Sequence, residues 1–203
     1  MSGNIKLLLN ELIDGESNRM CYTSRYNSVP VIRRENVAEH SWKTSYIALN
    51  LYWFLCHSNS EEKINLGLLL SKALLHDVPE MLSSDIVATL KHYDENVNKE
   101  INRVSDEMLS QYQKDSCLDY EIYYDAIHSK EGKEGEIVAV SDLLCVFSYL
   151  LEEINFGNTK ATKYIPLDRL LFSFQSLDSK LTIIGLKEIV KEIQNKIVAL
   201  IKG

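Results

Sequence analysis

With 3 prolines and 8 glycines in 203 residues, the chain has few points at which a helix must break, and this scarcity predicts long helices. Its four cysteines, Cys21, Cys56, Cys117 and Cys145, show no CxxC spacing. That argues against a zinc knuckle and for reduced, packed thiols rather than disulfides. No stretch approaches the ~18 uninterrupted apolar residues of a membrane helix, and no basic segment followed by an apolar run opens the sequence. A cytoplasmic protein with no membrane partner is expected. Basic residues are also in deficit, 22 Lys and Arg against 29 Asp and Glu, for a formal charge of −7. Gripping a nucleic-acid backbone needs a broad basic face that releases counterions, so a nucleic-acid partner is not expected.

Apolar residues at 45% and charged residues at 25% are ordinary for a globular chain. The length suits one domain with a substantial core, and no composition shift divides residues 1–203. Neither repeats nor low-complexity tracts nor an alternating strand pattern stand out, so the expected fold class is all-α.

Ile5, Leu8, Leu9 and Leu12 recur at helical spacing until Gly15, and Ser17 to Pro30 reads as a loop. Asn36 with Glu39 resembles a capping box that opens a helix whose stripe runs through Val37, Ser41, Thr44, Ala48, Leu51 and Leu55 to about His57. Ser60, Glu61 and Glu62 suit the start of the next helix, which runs through Leu68, Leu69 and Leu74 and should stop near Pro79. Further helices are read around Ile101 to Leu109, Tyr120 to His128, Glu136 to Phe156 and Leu181 to Ile201.

Four side chains on these elements form a candidate chemical set: His40, His76, Asp77 and Asp142. Two imidazoles and two carboxylates are donors a divalent metal accepts, and a bound metal can generate hydroxide near neutral pH, which points to a hydrolase. Asp142 interrupts the apolar stripe of Val138, Ala139, Cys145 and Tyr149, where a lone buried carboxylate is costly unless a cation or donors compensate. An arginine partner or a helix cap would serve as well as a metal. His76 and Asp77 are adjacent, so on a regular helix their side chains diverge by about 100°. Both reach one ion only at a loosened helix end, which Pro79 supplies. Arg25, Arg33, Arg34 and Lys91 stand near these residues in sequence. They could serve a small phosphorylated substrate, although each read alone is a solvated surface charge.

Taken together, these residues resemble the HD-domain phosphohydrolase superfamily, whose H…HD…D motif falls on His40, His76-Asp77 and Asp142. The likeness extends to Arg25, Arg33, the run Glu35-Asn36-Val37-Ala38-Glu39-His40-Ser41, Leu75-His76-Asp77 followed by Glu80, and then Asp85 and Lys91. Ser141-Asp142, Leu150-Leu151-Glu152-Glu153 and Gly157-Asn158 complete a pattern similar to the bacterial 5′-deoxynucleotidases of the YfbR-like group. It covers residues 25–158 and leaves 159–203 as C-terminal helices.

The resemblance implies a compact α-helical HD domain, dimeric, that removes phosphate from deoxyribonucleoside 5′-monophosphates using a divalent transition metal such as cobalt or manganese. By that likeness His40, His76, Asp77 and Asp142 bind the metal. Glu80 orients or deprotonates the attacking water, Asp85 assists near the leaving 5′-oxygen, and Arg25 holds the phosphate, with Arg33 and Lys91 as further substrate contacts. Tyr26 stands where that group commonly has Trp, an aromatic associated with packing on the sugar and excluding ribose. Its hydroxyl changes the polarity near the 2′ position and puts strict deoxyribose preference in question. Two other readings use the same residues: a deoxynucleoside triphosphate triphosphohydrolase with a nearly unchanged metal centre, and a non-catalytic helical module whose ion is structural.

Overall fold

A computed structural model describes residues 5, 6, 9, 13, 15–58, 63–84, 86, 94–115 and 131–202. Among them the chain is all-α, as expected, and the one extended pairing is a single bridge between Ser24 and Asn36. A 3-10 helix, Glu16–Cys21, precedes α1 (Val37–His57), α2 (Leu66–Leu75), the short α3 (Glu80–Ser83) and α4 (Glu95–Asp115). After these come α5 (Gly132–Asn155), the short α6 (Ala161–Tyr164), α7 (Leu167–Asp178) and α8 (Ile184–Lys202). Ser60 to Glu62 and Tyr120 to His128 lie outside the described residues, as does most of the helix read from Ile5.

α1 begins where local chemistry says it should. The Asn36 side chain accepts from the Glu39 N–H at 2.8 Å while the Glu39 carboxylate accepts from the Asn36 N–H at 3.4 Å. This reciprocal box satisfies two backbone donors. Its buried stripe is Val37, His40, Ser41, Thr44, Ala48, Leu51 and Leu55.

α2 starts later than the acids at 61 and 62 suggested. Asn65 caps it, accepting from the Leu68 N–H at 3.1 Å, and the Asn65 N–H donates to Glu134 Oε1 of α5 at 2.7 Å. A cap tied to a neighbouring helix outweighs a local preference for acids in a first turn. The α-helix ends at Leu75, so His76 and Asp77 sit just beyond the last turn that was expected to carry them. Residues 76–79 form a turn closed by three-residue hydrogen bonds, Val78 N–H to Leu75 and Glu80 N–H to Asp77, before α3 begins.

α8 begins at Ile184 rather than Leu181, because the N–H groups of Thr182 and Ile183 donate to Glu136 of α5 at 2.8 and 3.1 Å. The main core joins α1, α2, α5, α7 and α8 through Leu55, Leu69, Val140, Phe174, Leu186 and their neighbours. Each such side chain contributes ~1.5–3 kcal/mol by leaving water. A smaller cluster of Val78, Met81 and Leu109 anchors the 76–79 turn and α3 against α4. No helix among the described residues is long and apolar enough to cross a membrane.

Candidate metal centre

Three elements converge on one point. α1 brings His40, fully buried in its first turns; the turn after α2 brings His76 and Asp77; α5 brings Asp142. His40 Nε2 lies 3.2 Å from His76 Nε2, 3.0 Å from Asp142 Oδ1 and 3.5 Å from Asp77 Oδ2. His76 Nε2 lies 3.4 Å from Asp77 Oδ2 and 4.0 Å from Asp142 Oδ1. Donors that each stand ~2.0–2.2 Å from one ion are separated from one another by distances of this order.

The tautomers agree with that use. His76 Nδ1 is 2.8 Å from the Ala73 carbonyl, which can only accept, so Nδ1 carries a hydrogen and Nε2 is the nitrogen left for a metal. His40 Nδ1 faces the Glu35 carboxylate at 3.9 Å, so its Nε2 is the ring nitrogen turned into the cluster. Two ring nitrogens 3.2 Å apart, each beside a carboxylate oxygen, are spaced so that one cation could take both. The donor set, two imidazole nitrogens and two carboxylate oxygens, fits a divalent transition metal. Asp142 keeps 40% of its side-chain surface open while His40 keeps none, so the cluster is closed behind and accessible in front.

Charge is balanced tightly here. Burial alone would raise the Asp142 carboxyl, but the His40 hydrogen bond and the attraction of His76, His40 and Arg25 outweigh it and hold the group well below the usual carboxylate range. Burial works against the Arg25 guanidinium, yet Tyr26, Asp77, Asp142 and Glu80 around it keep it protonated beyond its ordinary value. Arg25 Nη1 donates to Asp77 Oδ2 at 3.0 Å, placing a permanent cation at the edge of the cluster.

The remaining candidates divide. Glu80 opens α3 directly after the 76–79 turn and acts electrostatically on Arg25. Asp85 and Lys91 lie outside the described residues. Arg33 is turned to carboxylates on α1 and α5, 3.5 Å from Glu39 and 3.3 Å from Glu152, and Arg34 is exposed. Tyr26 stacks flat on Tyr149, ring centroids 4.6 Å apart at 7°, with a backbone φ of 56°. That left-handed conformation is uncommon for a bulky residue. One ring face therefore packs on the protein, while burial pushes the Tyr26 hydroxyl above its ordinary pKa and leaves it a neutral donor.

The loop from Arg25 to Arg34 is fastened by residues to which sequence reading gave no role. Buried Glu153 accepts from the N–H groups of Ile32 and Arg33, both at 2.8 Å, and from Asn158 Nδ2 at 2.6 Å. The Tyr149 hydroxyl donates to the Arg33 carbonyl at 2.6 Å. Glu35, buried to 1% exposure, lies behind His40 and Arg25 with Lys43 beside it. The only local signal for these groups was their place in motif-like runs, since nothing in the one-dimensional pattern marks an acid before a helix cap as buried.

A family profile described as "5′-deoxynucleotidase YfbR-like" matches residues 16–170. Among curated proteins, a 5′-deoxynucleotidase from Pectobacterium atrosepticum is 26% identical over 149 residues, 71% of this chain and 74% of that one. A 5′-deoxynucleotidase from Vibrio parahaemolyticus is 26% identical over 145 residues, 69% of this chain and 73% of that one. Among solved structures, an HD-domain phosphohydrolase from Listeria innocua superposes with a TM-score of 0.74 at 21% identity, covering 94% of this chain and 90% of its own. The PH0347 protein from Pyrococcus horikoshii gives 0.62 at 18% identity, covering 97% and 98%. At these identities the superpositions speak to the fold.

Proposed function

The chain belongs to the YfbR-like 5′-deoxynucleotidase family of HD-domain hydrolases, and on that premise we propose that it releases phosphate from deoxyribonucleoside 5′-monophosphates with a divalent metal. His40, His76, Asp77 and Asp142 would hold the ion, manganese or cobalt being the candidates. Bound there, it would supply a lowered pKa for a water and a charge to offset the phosphoryl oxygens. The observation that carries this reading is the pair of imidazole Nε2 atoms 3.2 Å apart, with carboxylate oxygens of Asp142 and Asp77 at 3.0 and 3.5 Å from the His40 nitrogen.

The chain's own groups do the rest. Glu80, at the start of α3, takes the proton of the water that attacks phosphorus as the bond to the 5′-oxygen breaks. Asp85 returns a proton to the departing 5′-oxygen, a role that rests on the sequence pattern. Arg25 offers a planar fork to two phosphoryl oxygens, moving off Asp77 to do so. Arg33 and Lys91 belong to the approach of the substrate. Tyr26, stacked on Tyr149, would meet the sugar with a hydroxyl-bearing ring, so discrimination against ribose is weaker than an indole would give.

The same reading takes residues 1–203 as one domain in the cytoplasm, paired as a homodimer. Trp42, Tyr46 and Trp53 support the pairing, forming a stripe on α1 that is more than half exposed. A panel of mono-, di- and triphosphates in ribo and deoxy forms, with manganese or cobalt added, tests the function. Orthophosphate from deoxynucleoside monophosphates is the expected product. Tripolyphosphate from triphosphates would reassign the chain to triphosphohydrolysis, and inertness toward every nucleotide would defeat the reading.

A further inference from the structure

Directly behind the metal cluster lies a second group of polar atoms with no part in the proposed chemistry. Both oxygens of Glu35, Arg25 Nε, His40 Nδ1 and Lys43 Nζ are buried and have no hydrogen-bond partner among the described residues. They nevertheless face one another. Glu35 Oε2 is 3.7 Å from Arg25 Nε and 3.9 Å from His40 Nδ1, while Oε1 is 3.4 Å from Lys43 Nζ. Burying a carboxylate to 1% exposure is costly unless its partners are complementary, and here three donors point at it.

His40, Glu35 and Cys145 also stand close enough to hold a second metal, but the chemistry argues otherwise. Arg25 and Lys43 already supply the positive charge that a second ion would bring. The pocket is built for an anion with cations around it.

From this geometry we infer that Glu35 is a positioning residue that sets both halves of the site: its Oε2, 3.9 Å from His40 Nδ1 and 3.7 Å from Arg25 Nε, attracts both groups, aiming His40 Nε2 at the metal and the guanidinium at the phosphate. The inference rests on the proposed metal-dependent reaction. Its physical basis is that a histidine ligand needs an acceptor for its other nitrogen to fix tautomer and ring angle. Glu35 is the acid near His40 Nδ1, whereas Asp77 and Asp142 lie on the Nε2 side. Arg25 is held twice by the same residue, since its backbone N–H donates to the Glu35 carbonyl at 2.9 Å. In the present arrangement Arg25 Nη1 rests on Asp77. Pinning Nε lets the terminal nitrogens swing from Asp77 to a phosphoryl oxygen while the side chain keeps its anchor. Lys43 bridges Glu35 Oε1 to Glu152 at 3.5 Å and balances charge without touching either functional group.

Glu35→Gln keeps the shape and weakens the acceptor, and Lys43→Met removes only the balancing cation. Cobalt titration of the metal-free proteins, followed by the cobalt visible spectrum, reads the His40 arm. The KM for a deoxynucleoside monophosphate at saturating metal reads the Arg25 arm. Glu35→Gln is expected to bind cobalt ~10–100-fold more weakly, with a shifted spectrum, and to raise KM about tenfold more than it lowers kcat. Lys43→Met should change neither, and Glu35→Gln with Lys43→Met should recover melting temperature but not cobalt affinity. Wild-type cobalt affinity and spectrum in Glu35→Gln, or equal losses in Lys43→Met, would overturn the inference and leave the metal reading standing. Equal cobalt binding by wild type and His40→Ala would instead remove the metal reading and the inference with it.

Discussion

The two ends of α1 bury opposite chemistry on one continuous stripe. From Val37 to Thr44 the inward positions include His40, Ser41 and Thr44; from Ala48 to Leu55 they are Ala48, Leu51 and Leu55. The polar end meets Glu35, Asp142 and the 76–79 turn, and the apolar end meets Leu69, Ile183 and Leu186. Helical spacing decides which residues face inward. The kind of residue shows what they meet there, and the contrast is between an end that carries the candidate site and an end that holds the bundle together. A helix fixed by its apolar end can carry mutually repelling groups at the other, because the cost of assembling them is met by burial elsewhere.

The sharpest way to break this contrast is to cross its outcomes. Asp77→Ala should lower metal-dependent phosphate release by a factor of ~1,000 or more, a loss of ~4 kcal/mol or more in transition-state stabilisation. Its metal-free melting temperature should move less than that of Leu55→Ala. Leu55 is fully buried, so its truncation should cost ~3 kcal/mol in denaturant unfolding and leave kcat per folded molecule unchanged. A Cβ at Gly185 would stand 2.9 Å from Leu55 Cδ2. Gly185→Ala should therefore destabilise wild type through overpacking but restore part of the loss in Leu55→Ala, where the methyl enters the vacated space. Lost turnover in Leu55→Ala with intact folding would show the two ends to be coupled.

Glu153→Gln probes the loop that leads into the polar end, and a loss of ~2 kcal/mol is expected from its charge-assisted bonds. Burial would raise the Glu153 carboxyl, but Asn158, the Arg33 and Ile32 N–H groups and the Arg33 charge together lower it. A lowered folded pKa means that the stabilisation is complete above the unfolded value of ~4.3 and disappears as pH falls through the folded one. Melting curves of the variant and wild type should therefore differ at pH 7 and draw together below pH 4. A gap independent of pH would show that shape rather than charge is what Glu153 supplies. Asn36→Ala, at the polar end, should cost ~1 kcal/mol in melting experiments through loss of the cap alone, with phosphate release nearly unchanged.

Much of α1 was legible because its signals are local. The capping box spans Asn36 to Glu39, and the stripe repeats within seven residues. The start of α2 was not, because Ser60 and Asn65 are both acceptable caps and the bond from Asn65 to Glu134 appears only once α5 has packed. Likewise, the pattern put His76 and Asp77 at a helix end. Their convergence needs the turn that α3 and the Val78, Met81 and Leu109 cluster hold in place. Glu35 was invisible as a buried group because its burial depends on the loop from Arg25 to Arg34 lying against α5, which Glu153 and Tyr149 bring about.

Residue order alone dictated an all-helical chain and the faces that its helices turn inward, because hydrogen bonds four residues apart and a 3.6-residue period depend only on near neighbours. It also placed His40 and Asp142 on inward-facing helical stripes and His76 and Asp77 at a helix end. Whether they stand 3 Å or 10 Å apart, and whether a carboxylate lies behind them, was settled when side chains of given volume packed α1, α2 and α5 together. That separation depends on contacts between residues distant along the chain, and no local pattern encodes it.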